Sequence, residues 1–325
     1  MMAQACAGAK SLTVCARKKS VGQAFLPVKV GQTFLSVIGF DRQECLSHID
    51  RQECLSYAVV LNATPLGMWP RAGSMPEVMP LLRPGVEVFD AVYNPTPTRL
   101  VLNARKHGCR AVGGLRMLVR QAIEAQKIWN PDAIFDVEEL ERAILPEVSR
   151  ELLRHSAVHV LLTGFMGAGK TSLAKELAKR LGIARVDLDD EIETQAGCSI
   201  ADIFKRDGEA AFRGIERGVA TRVLKSETSS VVATGGGFAV FQENQNIIRD
   251  TNTLVLHLDA PFDVLWQRVR LATARPLLQS SGQARALYDA RQPVYQSFCD
   301  FIFDAARPVS ELAEDVANQL THTGD

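Results

Sequence analysis

Apolar positions along the chain fall into two alternating styles. Short, dense apolar runs, such as Val158-His159-Val160-Leu161-Leu162-Thr163 and Ser230-Val231-Val232-Ala233, predict buried strands. Longer stretches with apolar residues three and four apart predict helices, most clearly 115–129, where Leu115, Leu118, Val119, Ala122, Ile123 and Ile128 make one face. In the second half of the chain, strands are expected at 158–163, 184–188, 230–233, 253–258 and 301–303, with helices at 172–181, 200–225, 261–269, 284–298 and 310–320 between them. This alternation predicts a compact, mostly parallel three-layer α/β unit with its site at the carboxyl ends of the strands. In the first half, strands at 57–62 and 86–92 and helices at 98–107 and 115–129 suggest part of another parallel layer. An acidic stretch that turns helical, 131–154, connects the two, and Pro146 marks the approach to the second unit.

The first 56 residues break this pattern. A strand is expected at 11–16, followed by Arg17-Lys18-Lys19. Then Gly22-Gln23-Ala24-Phe25-Leu26-Pro27-Val28 recurs as Gly31-Gln32-Thr33-Phe34-Leu35-Ser36-Val37, and Asp41-Arg42-Gln43-Glu44-Cys45-Leu46-Ser47 recurs verbatim at 50–56. Two copies of a short unit cannot stack into a solenoid, so this stretch reads as an inserted, poorly ordered repeat. The chain therefore divides into an irregular segment, 1–56, a partial Rossmann-like α/β segment, 57–146, and an α/β unit, 155–325.

Composition narrows the partners. Lys plus Arg number 37 and Asp plus Glu number 37, which argues against nucleic acid or an anionic membrane as the main partner. No apolar stretch is long enough to span a bilayer, and the N-terminal apolar core is too short for a signal peptide, so a cytoplasmic, monomeric protein is expected. The seven cysteines are scattered without C-x-x-C spacing and read as reduced packing or surface thiols.

The densest chemistry lies at Gly164-Phe165-Met166-Gly167-Ala168-Gly169-Lys170-Thr171, between a predicted strand and a predicted helix. That is the context in which G-x-x-x-x-G-K-[ST] acts as a phosphate loop: glycines let backbone N–H groups converge on phosphate oxygens at a helix N-terminus. Lys170 would neutralise the β- and γ-phosphates, and the Thr171 hydroxyl would hold Mg²⁺. Asp187 and Asp189, two apart at a strand end, are candidates for Mg²⁺ binding through water and for orienting or deprotonating an attacking hydroxyl, respectively. The competing reading makes Asp189 or Asp190 the cap of a helix that begins near Glu191. Arg213 with Glu216 three residues on is either a braced ligand-binding cation or an ordinary surface ion pair. Gly235-Gly236-Gly237 after a buried strand offers backbone at close range to a small polar ligand.

Together with these residues, Asp207-Gly208-Glu209, Phe212-Arg213-x-x-Glu216, Arg275-Pro276-Leu277-Leu278 and Arg291-x-Pro293-x-Tyr295 resemble the shikimate kinases in order over nearly all of 155–325. The resemblance implies a kinase with ATP as cosubstrate and Mg²⁺ as cofactor that phosphorylates shikimate. It implies that Gly164, Gly167, Ala168, Gly169, Lys170, Thr171 and Ser172 bind nucleotide, with Arg268 beside the adenine. Asp189, Arg213, Gly235, Gly236, Gly237 and Arg291 would hold shikimate, the two arginines on its carboxylate, and Arg275 would reach the transferring phosphate from a lid. The nearest rival is another small-molecule phosphate-loop kinase.

In the first half, Asn62-Ala63-Thr64-Pro65-Leu66-Gly67-Met68, Asp90-Ala91-Val92-Tyr93-Asn94-Pro95 with Thr98, and Gly114-Leu115 with Met117-Leu118-Val119-Arg120-Gln121-Ala122 resemble the C-terminal domain of shikimate dehydrogenases. By that resemblance Asn62 and Thr64 would lie near a nicotinamide ribose, Tyr93 and Gln121 would face substrate, and 11–19 would be the strand and basic turn that select NADP. A glycine loop for the pyrophosphate and the family's substrate domain have no counterpart here, so a remnant that neither binds NADP nor transfers hydride is expected.

Overall fold

The structure, a computed structural model, describes residues 28–30, 33–39, 58–271 and 281–321. The strand expected at 11–16, most of the duplicated stretch and Arg275 lie outside the described residues. Two five-stranded sheets organise the described residues.

The first sheet runs β1 (Val28–Val30), β2 (Thr33–Gly39), β3 (Ala58–Asn62), β4 (Glu87–Asp90) and β5 (Arg110–Val112) in that spatial order. β3, β4 and β5 are parallel, whereas β1 and β2 add antiparallel, Ser36 opposite Leu61 and Val37 opposite Val60. Of the duplicated stretch, expected to be poorly ordered, the described residues are 28–30 and 33–39, which form β1 and β2. Thr33-Phe34-Leu35-Ser36-Val37-Ile38 is rich in β-branched and aromatic residues, which suit an edge of β3 that would otherwise lack a neighbour. β5 has three residues and was too short to stand out in the sequence pattern.

Helices α1 (Arg99–Lys106), α2 (Leu115–Trp129) and α3 (Val137–His155) follow from local signals. The Thr98 hydroxyl accepts from Val101 N at the start of α1, and the Asp136 carboxylate accepts from Glu139 N at the start of α3. The connecting helix expected within 131–154 is α3, and Pro146, expected to mark the approach to the second unit, lies inside it. It removes one helical hydrogen bond but does not stop the helix, because Glu141 before it and Ser149 and Leu153 after it are buried. Arg116 and Arg120 on α2 both donate to the buried Glu141 carboxylate, tying α2 to α3.

The second sheet comprises β6 (His159–Thr163), β7 (Ala184–Asp187), β8 (Ser230–Ala233), β9 (Thr253–Asp259) and β10 (Phe301–Asp304), in the order β10-β9-β6-β8-β7 and parallel throughout. Its helices are α4 (Lys170–Leu181), α5 (Leu188–Ala196), α6 (Ile200–Leu224), α7 (Gln242–Arg249), α8 (Phe262–Leu271), α9 (Ser281–Phe298) and α10 (Val309–Thr321). Strand alternation sends Val160 and Leu162 of β6 to one apolar layer, with Leu173 and Leu177 of α4 and Val316 of α10. Leu161 goes to the other, with Ile192 of α5 and Val219 of α6. The three-layer expectation therefore describes this unit. α7 was not expected, since its sequence is polar and two of its buried residues are Asn244 and Gln245. No helix among the described residues is long and apolar enough to cross a membrane.

The first sheet is held at its carboxyl edge by a buried carboxylate. Asp90 accepts from Asn62 Nδ2 at 2.9 Å, Val92 N at 3.0 Å and Thr98 Oγ1 at 2.6 Å, and Thr64 Oγ1 donates to Asn62 Oδ1 at 2.7 Å. Burial pushes the Asp90 carboxyl upward, and its three donors oppose that shift. Asp90→Ala should strand these donors and destabilise the chain by about 2–3 kcal/mol, measured as a lower urea midpoint of the full chain.

Candidate active site

β6 delivers the chain into 164–169 with β9 beside it. Gly164 has a φ of 148°, and a Cβ on it would sit 2.6 Å from Leu258 O; Gly167 has a φ of 81°, and its Cβ would sit 2.6 Å from Leu265 O. Neither position admits a side chain, which is why the loop can press bare backbone against β9 and α8. Lys170 opens α4, and its Nζ donates to Gly164 O at 2.9 Å and Phe165 O at 3.1 Å. The ammonium thus lies over the loop at the mouth of the helix, where dipole and charge both favour an anion.

The two aspartates are arranged differently from the extended pair expected at 184–188. β7 ends at Asp187 and α5 begins at Leu188, which is buried. Asp187, rather than Asp189 or Asp190, is the cap: its Oδ1 accepts from Asp189 N at 3.2 Å, and its Oδ2 accepts from Thr171 Oγ1 at 2.9 Å. Asp189 falls in the first helical turn, half-buried, with its Oδ1 3.1 Å from where a Cβ of Gly235 would lie. A hydroxyl and a carboxylate oxygen in contact beside a phosphate loop are the hard oxygen donors that Mg²⁺ takes alongside phosphates, so Thr171 and Asp187 fit that ion.

Gly235-Gly236-Gly237 leaves β8 and faces both arginines. A Cβ on Gly237 would lie 3.3 Å from Arg213 Nη2 and 3.5 Å from Arg291 Nη2; one on Gly236 would lie 3.5 Å from Gly164 O and 3.7 Å from Arg291 Nη1. Arg213, on α6 beyond the break at Gly208, donates from Nη1 to Glu216 Oε2 at 2.9 Å and from Nη2 to Glu209 Oε1 at 3.1 Å. Glu216 is 3% exposed, so this is a buried brace rather than a surface pair. The Phe241 ring lies 4.3 Å from the guanidinium carbon and adds a cation–π contact. Asn244 of α7 reaches Glu216 Oε2 at 3.4 Å and Phe238 O at 2.9 Å. Neither Phe241 nor Asn244 carried a sequence signal, because both depend on α7 folding back onto α6.

Behind the triplet, Tyr295 of α9 is fully buried and its hydroxyl donates to Gly236 O. Burial pushes its phenol upward, against the pull of the Arg291 charge. The His257 ring lies 5.0 Å from that of Tyr295, and its Nε2 is 3.2 Å from Gln292 Oε1. Burial holds the imidazole below its ordinary value, with Asp259 opposing the shift. Tyr295 belongs to a motif visible in the sequence, but its place under the triplet was not.

Two adjoining cavities share Gly167, Gly169, Ser172 and Arg268. One, of about 420 Å³, runs from the loop to Ala305, Pro308 and Leu312; Arg268 donates to Ala305 O at 2.7 Å and Ala306 O at 3.2 Å along its wall. The other, of about 200 Å³, contains Lys170, Thr171, Asp187, Asp189, Gly235 and Gly236. Ser172 is exposed at the start of α4, and Ala168 is buried within the loop. The two cavities thus gather the loop residues, Asp187, Asp189, Gly235, Gly236 and Arg268, and Gly237 brings Arg213 and Arg291 next to them; Asn62, Thr64, Tyr93 and Gln121 belong to the first half of the chain. Among the described residues, Cys109, Cys198 and Cys299 are free and line neither cavity, and burial pushes the Cys299 thiol up to about 11.

A phosphate loop between the central strand and its helix, on a parallel sheet covered on both faces, defines an ATP-dependent phosphate-loop kinase. The family profile described as shikimate kinase matches residues 166–321. A shikimate kinase of Burkholderia lata is 39% identical over 175 residues, 53% of this chain and 94% of that protein. One of Ruegeria pomeroyi is 44% identical over 177 residues, 52% of this chain and 89% of that protein. Among solved structures, the shikimate kinase from Acinetobacter baumannii in complex with shikimate aligns at 31% identity and a TM-score of 0.47, covering 50% of this chain and 92% of that one. The chain belongs to the shikimate kinase family.

Gly167→Ala should lower ADP affinity at least about tenfold, by calorimetric titration, with far-ultraviolet circular dichroism unchanged. His159 and His257 are both buried with lowered pKa values. Their neutral forms are favoured on folding, so their stability contribution is present above the ordinary value of 6.5 and is lost as pH falls through the lower folded values. Thermal midpoints should fall below pH about 6.5, and less steeply in His257→Phe.

Proposed function

We propose that residues 155–325 transfer the γ-phosphoryl group of ATP to the 3-hydroxyl of shikimate, giving 3-phosphoshikimate and ADP. The observation that carries this reading is the convergence of Arg213, Arg291 and Asp189 on one glycine triplet next to the phosphate loop. A ring with a carboxylate at one end and hydroxyls at the other matches two forked cations and one carboxylate acceptor, with bare backbone between them.

In this reading the nucleoside occupies the cavity lined by Arg268, Ala305 and Pro308, and the β- and γ-phosphates lie over 164–170. Arg213, fixed by Glu216 and Phe241, and Arg291 hold the shikimate carboxylate, which sets the distance of the ring from the loop. Asp189 accepts a hydrogen bond from the attacking hydroxyl and takes its proton as the new O–P bond forms and the bond from γ-phosphorus to the β-γ bridging oxygen breaks. Lys170 stabilises charge on the phosphate oxygens during transfer. Thr171, and Asp187 through water, would hold Mg²⁺, which would neutralise phosphate charge when bound. Arg275 is assigned the role of a late cation at the transferring group, by resemblance alone.

Residues 57–146 are proposed to be a shikimate-dehydrogenase-like remnant without hydride transfer. Supporting this, Asn62, Thr64, Asp90 and Thr98 spend their polar groups on one another in a buried network.

The test is coupled ADP release from the full-length chain with Mg²⁺ and ATP, with and without shikimate. Shikimate-dependent release that Asp189→Asn loses is expected. Arg213→Met should raise the shikimate KM about 10- to 100-fold while leaving that for ATP within about twofold, because it removes a charge-assisted contact to the acceptor only. Release with gluconate or a nucleoside monophosphate instead of shikimate would overturn the reading. Nicotinamide absorbance should stay unchanged with NADP and shikimate.

A further inference from the structure

Asp300, between α9 and β10, is 3% exposed, yet it belongs to no part of the site. It is stitched to the amino end of β9: Asp300 N donates to Val255 O at 2.7 Å, and Asp300 Oδ2 accepts from Val255 N at 2.8 Å. The rest of its carboxylate is taken by two cations from the first half of the chain. Arg99 Nη1 lies 3.3 Å from Oδ1 and 3.2 Å from Oδ2, and Lys106 Nζ lies 3.0 Å from Oδ1. Arg99 Nη2 also donates to Thr253 O, the first residue of β9.

Arg99, Leu102 and Lys106 are spaced to share one face of α1. Leu102 is 3% exposed and belongs to the same apolar cluster as Leu153, Val158, Leu254 and Leu256, the core of the second sheet. A third contact is steric: a Cβ on Gly73 would lie 2.7 Å from Arg249 O at the end of α7, so the loop before β4 approaches α7 as only glycine can. All three contacts touch the ends of the second sheet and its helices remote from the phosphate loop.

We propose that the amino-end surface of the kinase sheet is an interaction surface whose partner is α1 of the same chain, clamped through Asp300, so that the dehydrogenase-like segment is an integral structural partner of the kinase unit. The Burkholderia lata relative is 94% covered by an alignment spanning 53% of this chain, which leaves almost none of its length for a counterpart of this segment. Here the kinase unit buries a carboxylate that needs cations supplied from outside itself. Removing them leaves a desolvated charge at the β9–β10 junction. The inference is independent of which substrate the site phosphorylates.

The test is amide hydrogen exchange and thermal unfolding of the full chain, comparing the parent with Arg99→Gln/Lys106→Gln. Loss of the clamp should speed exchange at 254–256 and 300–302 about tenfold or more, leave 164–174 unchanged, and split one unfolding transition into two. Asp300→Asn, added to the double variant, should restore part of the protection, because a neutral amide keeps an acceptor for Val255 N without a buried charge. Parent-like exchange in the double variant would overturn the proposal. So would two separate transitions already present in the parent, or a double variant unaffected by Asp300→Asn.

Discussion

Close approach of bare backbone is the constraint on which the second sheet is built. Gly164 lies against Leu258 O, Gly167 against Leu265 O, and Gly236 faces Gly164 O, so the ends of β6, β8 and β9 converge without side chains between them. This convergence sets the triplet beside the 164–170 cradle, the placement on which the proposed transfer from nucleotide to acceptor rests. A β-branched residue at any of these positions would push the strands apart and separate the two cavities. The tight helical and apolar layers on both faces of the sheet supply the burial that holds the strand ends together.

Charge is distributed around that cradle with equal care for partners. The cations at the acceptor end are tied down from behind: Arg213 by Glu216 and Glu209 and by the Phe241 ring. The carboxylates at the loop end are spread between two tasks. Asp187 is committed to capping α5 and to Thr171, while Asp189 faces the triplet. Buried braces of this kind contribute little net stability, but they hold a guanidinium in one orientation, which is what a planar carboxylate requires.

The first half of the chain is bound to the second by the same logic applied to structure instead of chemistry. Its internal network joins Asn62, Asp90 and Thr98, and its outward cations Arg99 and Lys106 face the other unit. Leu102 and Leu153 join the core of the kinase sheet, so the two α/β units share packing and not merely a linker.

The sequence by itself determined most strands and helices of the second half, though not α7, together with the phosphate loop and the glycine triplet, because each depends on local periodicity or on residues adjacent in the chain. It could not separate the two readings of Asp187 and Asp189. Which one caps depends on where β7 stops, and that is decided by burial of Leu188. Likewise, Arg213 with Glu216 was an even choice between a surface pair and a brace until α7 was seen to bury Glu216. Pro146 looked like a boundary because its missing N–H weakens a helix locally, but packing on both sides carries α3 through it. Of the duplicated stretch, Thr33–Gly39 pairs with the edge of β3, a partner that no local pattern announces. Tertiary structure decided these cases for one reason: each depends on what lies across the fold, at a sequence distance that no local pattern encodes.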